Sequence, residues 1–302
     1  MWSAPSVRAP GAPMSGPRRE ATAGGIMPPS RSPLLFCLLM AVTGVPFWAL
    51  DIVAGPLPWL PMNLPASALQ FVSPIVVAAL LVHRAEGAIG VRRLLARLAD
   101  HRRITRRAWY VPLVLLMPAS LTLAYLVMRA TGRPLPEPHI PPAAIPLLAL
   151  AFLVGAVCEE AGWTGYATDP LLRRYGTLGT GVLLGVVWAA VHVLPWHTGH
   201  DWMWVAWQGV ATVAIRVMIV TLYVHDGGSV FGAVLFHDMV NVSDGLFPNG
   251  GSHYDPAVAG PILVACAALL VVAGRLRPRP GGGNGGIRGS GDRPAGGRVA
   301  PG

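Results

Sequence analysis

The 302-residue chain is 53% hydrophobic and 12% charged, with a mean hydropathy of +0.52 and a formal net charge of +9. Soluble globular proteins carry about 25% charged residues, so half of the usual ionic cover is missing; an ordinary soluble domain is excluded, and the apolar content excludes a wholly disordered chain. The 36 Gly and 30 Pro follow no three-residue period, which excludes collagen and leaves an integral membrane protein with polar tails.

In chain order, residues 1–32 are rich in Pro, Gly, Ser and Ala, contain no apolar signal-peptide core, and read as a disordered tail in which Met14 and Met27 are candidate starts. A spanning helix needs roughly 20 mostly apolar residues. Between 33 and 275 eight windows meet that need: 34–54, 66–83, 109–128, 144–166, 178–196, 202–224, 229–247 and 257–274. The first is interrupted by Pro46, and the seventh carries polar residues. Residues 276–302 form a second Gly/Pro/Arg-rich tail, expected to be disordered. The fold class predicted is all-α, a polytopic membrane protein of about eight transmembrane helices with a buried polar cavity. No internal repeat supports an inverted-repeat transporter.

All 23 cationic residues are arginine, and 20 of them fall in segments that alternate to one side of the eight windows. Arg129 and Arg133 fall on the other side, and Arg216 lies inside a span. This asymmetry predicts a multi-pass cell-membrane protein with both termini cytoplasmic. It also makes membrane lipids, and not nucleic acid, the expected surroundings. Cys37, Cys158 and Cys266 each lie in an apolar run and suggest neither a disulfide framework nor a metal pair.

Ionisable groups at membrane depth are costly and usually functional. Four sets stand out: Glu159-Glu160 in CEEAGWTGYA, Trp188 with His192 in WAAVH, His237 with Asn241 in HDMVN, and Arg216 alone in an apolar run. Residues four apart share a helix face, so each His has its partner beside it. Glu159 and Glu160 project about 100° apart; one points at a common site and the other at a neighbouring helix, near Trp163 or Thr164. A turn centred at Tyr175-Gly176 would bring Glu159 and His192 to equal depth. The three sets would then converge between the cytoplasmic half and the middle of the bundle. Arg216 is expected to form a structural ion pair with Glu160 or Asp238. His197 and His200 lie among Trp196, Trp202 and Trp204, and read as an interfacial belt more readily than as metal ligands.

A buried carboxylate beside an imidazole can hold and deprotonate water, and a second His with an Asn can donate to an oxyanion. The inventory suits amide hydrolysis without a Ser or Cys nucleophile. Two His and a Glu are also zinc ligands, but the spacing is not HExxH.

The run EExxWxGY, followed by WxxxH and HxxxN over residues 142–250, resembles the CPBP family, the CAAX-protease and bacteriocin-processing (Abi) intramembrane proteases. The resemblance implies an eight-span bundle around a catalytic cavity. It implies that Glu159 activates water, His192 assists, His237 and Asn241 bind the oxyanion, and Glu160 is a supporting acid. Trp163 and Trp188 are assigned to the substrate-binding wall. The expected function is an intramembrane endopeptidase acting on a peptide or membrane-protein substrate with no cofactor, zinc being the disfavoured option. The competing function is a non-catalytic scaffold or bacteriocin-immunity protein. Two departures stand out: the family's first motif usually reads EExxxR where this chain has Thr164, and its second often has Phe where this chain has Trp188. Without that Arg, Glu160 needs another partner, for which Arg216 and Arg173 are candidates.

Overall fold

The computed structural model describes residues 31–54, 66–137, 140 and 143–276. The expected disordered tails therefore lie outside the described residues, apart from their innermost positions. Eight α-helices account for the eight windows: α1 (Pro33–Ala54), α2 (Ser73–Ala96), α3 (Tyr110–Ala130), α4 (Ala144–Gly162), α5 (Asp169–His197), α6 (Trp202–Asp226), α7 (Val230–Gly245) and α8 (Pro256–Leu276). The described residues contain no strand. Among the described residues six helical stretches are long and apolar enough to cross a membrane; one of them, Ile145–His197, takes in α5 and all but the first residue of α4. Helix α7, with 16 residues, is the short one. The protein is an all-α polytopic membrane protein.

Local chemistry sets most of the boundaries. Asp201 caps α6 by accepting from the Trp204 amide at 2.8 Å, and Ser229 caps α7 by accepting from the Gly232 amide at 3.1 Å. Between α6 and α7, Gly227 takes the left-handed conformation (φ 109°) that ends a helix, and the Asp226 carboxylate accepts from the Ser229 amide at 3.0 Å. Gly176 (φ 65°) turns the chain inside α5, at the position the sequence predicts for the Tyr175-Gly176 turn.

Two boundaries differ from the sequence reading. The second window is expected to end at 83, but α2 continues to Ala96 with a break at Gly87 (φ 66°). Hydropathy falls there because the segment carries arginines, yet helix resumes after the Gly87 break through the arginine- and leucine-rich run to Ala96. The 66–72 portion of the same window is a 3-10 segment, Ala66–Val72, that leads into α2. Between α4 and α5 a single π-helical stretch, Trp163–Thr168, is wholly buried and carries the Thr168 hydroxyl bond to Trp163 O at 2.8 Å. Such insertions rotate the side chains that follow and recur at functional sites.

The arginine-bearing segments do share one end of the bundle. Arg31 donates to Gly165 O at 2.9 Å, and Arg97 reaches Asp169 at 3.1 Å. Tyr223, which Arg97 also contacts, donates to Asp169 at 2.6 Å, while Asp100 accepts from Ser229 Oγ at 2.8 Å. These bonds tie the α2–α3 connection to the α4–α5 and α6–α7 turns.

Helix α6 is the central post, buried almost without interruption from Ala211 to Tyr223. It approaches α5 closely because Gly181 and Gly185 present no side chain. A Cβ at Gly181 would stand 2.8 Å from Val217 Cα, and one at Gly185 would stand 2.8 Å from Val213 Cα and 3.2 Å from Arg216 Cβ. This small-xxx-small contact sets how far Arg216 reaches past α5. Gly185→Ala is therefore expected to destabilise the protein by about 1–3 kcal/mol and to lower activity through Arg216. Thermal unfolding in detergent checks it against Gly209→Ala, where the added Cβ meets open space.

Candidate active site

Glu159 and Glu160 leave α4 in different directions, as adjacent helical residues must. Glu160 is 0% exposed and turns into the protein. Its Oε1 accepts from Arg216 Nη1 at 2.9 Å and its Oε2 from the same nitrogen at 3.0 Å; Thr164 Oγ1 donates to Oε2 and His237 Nδ1 lies 2.8 Å from Oε1. Arg216 is likewise 0% exposed and lies under two indoles, 4.2 Å from the Trp188 ring centre and 5.8 Å from that of Trp163. The cation expected at position 164 is therefore supplied by α6. Of the two candidates it is Arg216, and of its two expected partners it is Glu160. Thr164, where the family has Arg, keeps a hydroxyl bond to the same carboxylate.

Glu159 faces a cavity of about 840 Å³. Its Oε2 accepts from the Trp188 indole N–H at 3.0 Å, and Oε1 has no hydrogen bond among the described residues. His192, one turn beyond Trp188, has Nδ1 2.7 Å from Trp188 O and stacks on Trp196 at 5.3 Å between ring centres. A carbonyl accepts only, so the Nδ1 N–H donates to Trp188 O, and Nε2 is the ring nitrogen left without that bond. His237 is 2% exposed, with its ring edge-on to Trp188 at 5.2 Å. Glu159, Trp188, His192, His237 and Asn241 all line this one cavity, and Trp163 borders it. Glu160 is not among the lining residues. The convergence required by the sequence reading is thus met by α4, α5 and α7, with Glu160 behind the wall and holding His237.

The cavity's course departs from expectation. The sequence places it between the arginine-rich half and the middle of the bundle. Its lining runs instead from the middle to the opposite end, through Pro195, Trp196 and His200 to Tyr254. Toward the other end Phe36 packs ring against ring with Trp163, which borders the cavity, and with Tyr166.

Among the polar lining residues that escape the sequence reading are Asp51 on α1, Gln208 on α6 and Asp244 on α7. The signal exists, since Asp51 and Asp244 are acids inside expected spans. His197 and His200 stack on Trp202 and Trp204 with ring centres 3.8 and 3.6 Å apart.

Zinc can be tested against these donors. Among the described residues no three of His, Cys, Asp or Glu gather closely enough to hold an ion. The described side chains do not fit a three-ligand zinc site.

Residues 141–243 match the family described as type II CAAX prenyl endopeptidase Rce1-like. The chain is also 23% identical over 190 residues to a Methanococcus maripaludis protein named CAAX prenyl protease 2, an alignment that covers 58% of this chain and 69% of that one. The matched region contains all three motifs. Together these findings support a CPBP-family protease, a hydrolase of the CAAX type in the membrane.

Proposed function

We propose that the protein is an intramembrane endopeptidase in which Glu159 and His192 activate water for attack on a peptide bond. The observation that carries this reading is that Glu159, His192, His237 and Asn241 line one cavity. Glu159 is held by the Trp188 indole through one oxygen, which leaves the other to accept a proton from water. The lone pair of His192 Nε2 steadies the same water. As the bond is attacked, charge builds on the carbonyl oxygen. The Asn241 amide and His237 Nε2 donate to it, as preorganised donors aimed at developing charge do. A His237 ring that donates to both Glu160 and the oxyanion carries both protons. Glu160 and Arg216 are positioning residues, since they touch His237 and Trp188 and not the substrate. The proton held by Glu159 then passes to the leaving amine, which closes the cycle. The experiment is comparative proteomics of cells that express the chain or its Glu159→Gln form: peptide ends that appear only with the former are products, and identical peptide sets would refute the reading.

With the arginine-rich end cytoplasmic, the mouth at residues 198–200 faces the other side, so substrate enters there. In a background lacking Cys37, Cys158 and Cys266, Gly199→Cys is expected to react with an impermeant maleimide in intact cells. Arg106→Cys is expected to react only after lysis. The reverse pattern would turn the cavity toward the cytoplasm.

A further inference from the structure

Beyond the four groups assigned to chemistry, the cavity wall carries two carboxylates and buried polar atoms without described partners, Ser67 Oγ among them. Asp51, a lining residue of the cavity, is 9% exposed and is fixed by the Ser67 amide, which donates to Oδ1 at 2.7 Å; its Oδ2 is buried and has no partner among the described residues. Gln208 Oε1 is likewise a buried acceptor without a described partner in the cavity wall. Asp244 adds a second carboxylate. All three stand within two turns of the helix ends at the mouth: Asp51 near the end of α1, Gln208 near the start of α6 and Asp244 near the end of α7. No arginine is among the described residues lining the cavity, although the chain is strongly basic. A buried acceptor left unmade is expensive, and a carboxylate more so; the wall is therefore complementary to something that donates and carries positive charge.

We infer that the outer part of the cavity is a subsite for an organic cation of the substrate, a Lys or Arg side chain or a free amino terminus, held by Asp51 and Asp244 with Gln208. The inference names the substrate class and rests on the protease reading for its purpose, but not for its binding. An inorganic ion suits the wall less well, because no three acidic or imidazole groups among the described residues come close enough to share one. Trp196 and Tyr254, at the same end, supply ring faces suited to an ammonium or guanidinium group. A substrate so anchored would lay its neighbouring backbone toward Glu159, deeper in the same space.

The test uses the full chain carrying Glu159→Gln, in nanodiscs, so that binding is read without turnover. Three probes of sequence Ala-Leu-Ala-X-Ala-Leu-amide are titrated: acetylated with X as Arg, acetylated with X as norleucine, and the norleucine peptide with a free amino terminus. At least one cationic peptide is expected to bind about tenfold or more tightly than the neutral one, the worth of one charge-assisted bond. Asp51→Asn and Asp244→Asn should each reduce that ratio, and together abolish it, while binding of the neutral peptide stays the same. Which cationic peptide gains identifies the source of the charge. Equal binding of all three peptides, or a ratio unaffected by both substitutions, would overturn the inference. Retained cation preference in a protein whose Glu159 form cleaves nothing would instead remove the protease reading and leave the subsite standing.

Discussion

Glu159→Gln is expected to lower kcat by about 10²–10⁴-fold, the usual contribution of a positioned general base, with KM and thermal unfolding close to those of the parent protein. Gln keeps the shape of the side chain and still accepts the Trp188 indole bond through its amide oxygen, so the cavity wall survives. What disappears is the group that takes the proton from water. The measurement is steady-state cleavage of a substrate identified by the proteomic comparison, with purified protein in detergent. A variant retaining full rate would move the base elsewhere. Trp188→Phe offers an internal check: it keeps a ring over Arg216 but removes the N–H that orients Glu159, so a smaller fall in kcat is expected.

Arg216→Met is the second large effect. It leaves Glu160 in a fully buried position with only Thr164 and His237 for company. Removing one partner of a buried ion pair typically destabilises by about 3–5 kcal/mol, so a clear loss of thermal stability is expected. Activity should fall with it, because the carboxylate that holds His237 loses its main counter-charge. Two second-site changes separate the causes. Glu160→Gln added to Arg216→Met removes both charges and should recover most of the stability but not the activity, since His237 loses its carboxylate. Thr164→Arg added to Arg216→Met restores a cation four residues after Glu160, in space that the guanidinium has vacated, and should recover both. A double-mutant cycle on unfolding and on kcat reads each coupling. If Thr164→Arg rescues neither, the cation must come from α6 for reasons beyond charge, such as its place under the Trp188 and Trp163 rings.

Much of the site is legible along the chain itself, because lipid makes polar residues conspicuous. Within apolar helices, Glu159, His192, His237 and Asn241 have few solvated explanations, and a fixed rise per residue lets depth be counted from one turn to the next. The same reasoning places the turn at Gly176 and offers Glu160 as a partner for Arg216. It passes over Asp51 and Asp244, which lie near span ends, where a polar residue is easily taken for part of the interface. It also ends α2 at residue 83, since falling hydropathy marks where lipid stops and not where helix stops.

The sequence alone therefore determines the all-helical membrane class and the chemical inventory, both of which follow from composition and period along a single chain. Only the packed structure decides which of two adjacent glutamates meets the cavity and which end of the bundle that cavity approaches. It alone shows that a cation two helices away replaces the one absent at position 164. Those outcomes depend on how closely helices approach one another, as at Gly181 and Gly185 against α6, and on which rings fill the space between them; distances between segments far apart in the chain have no period to reveal them.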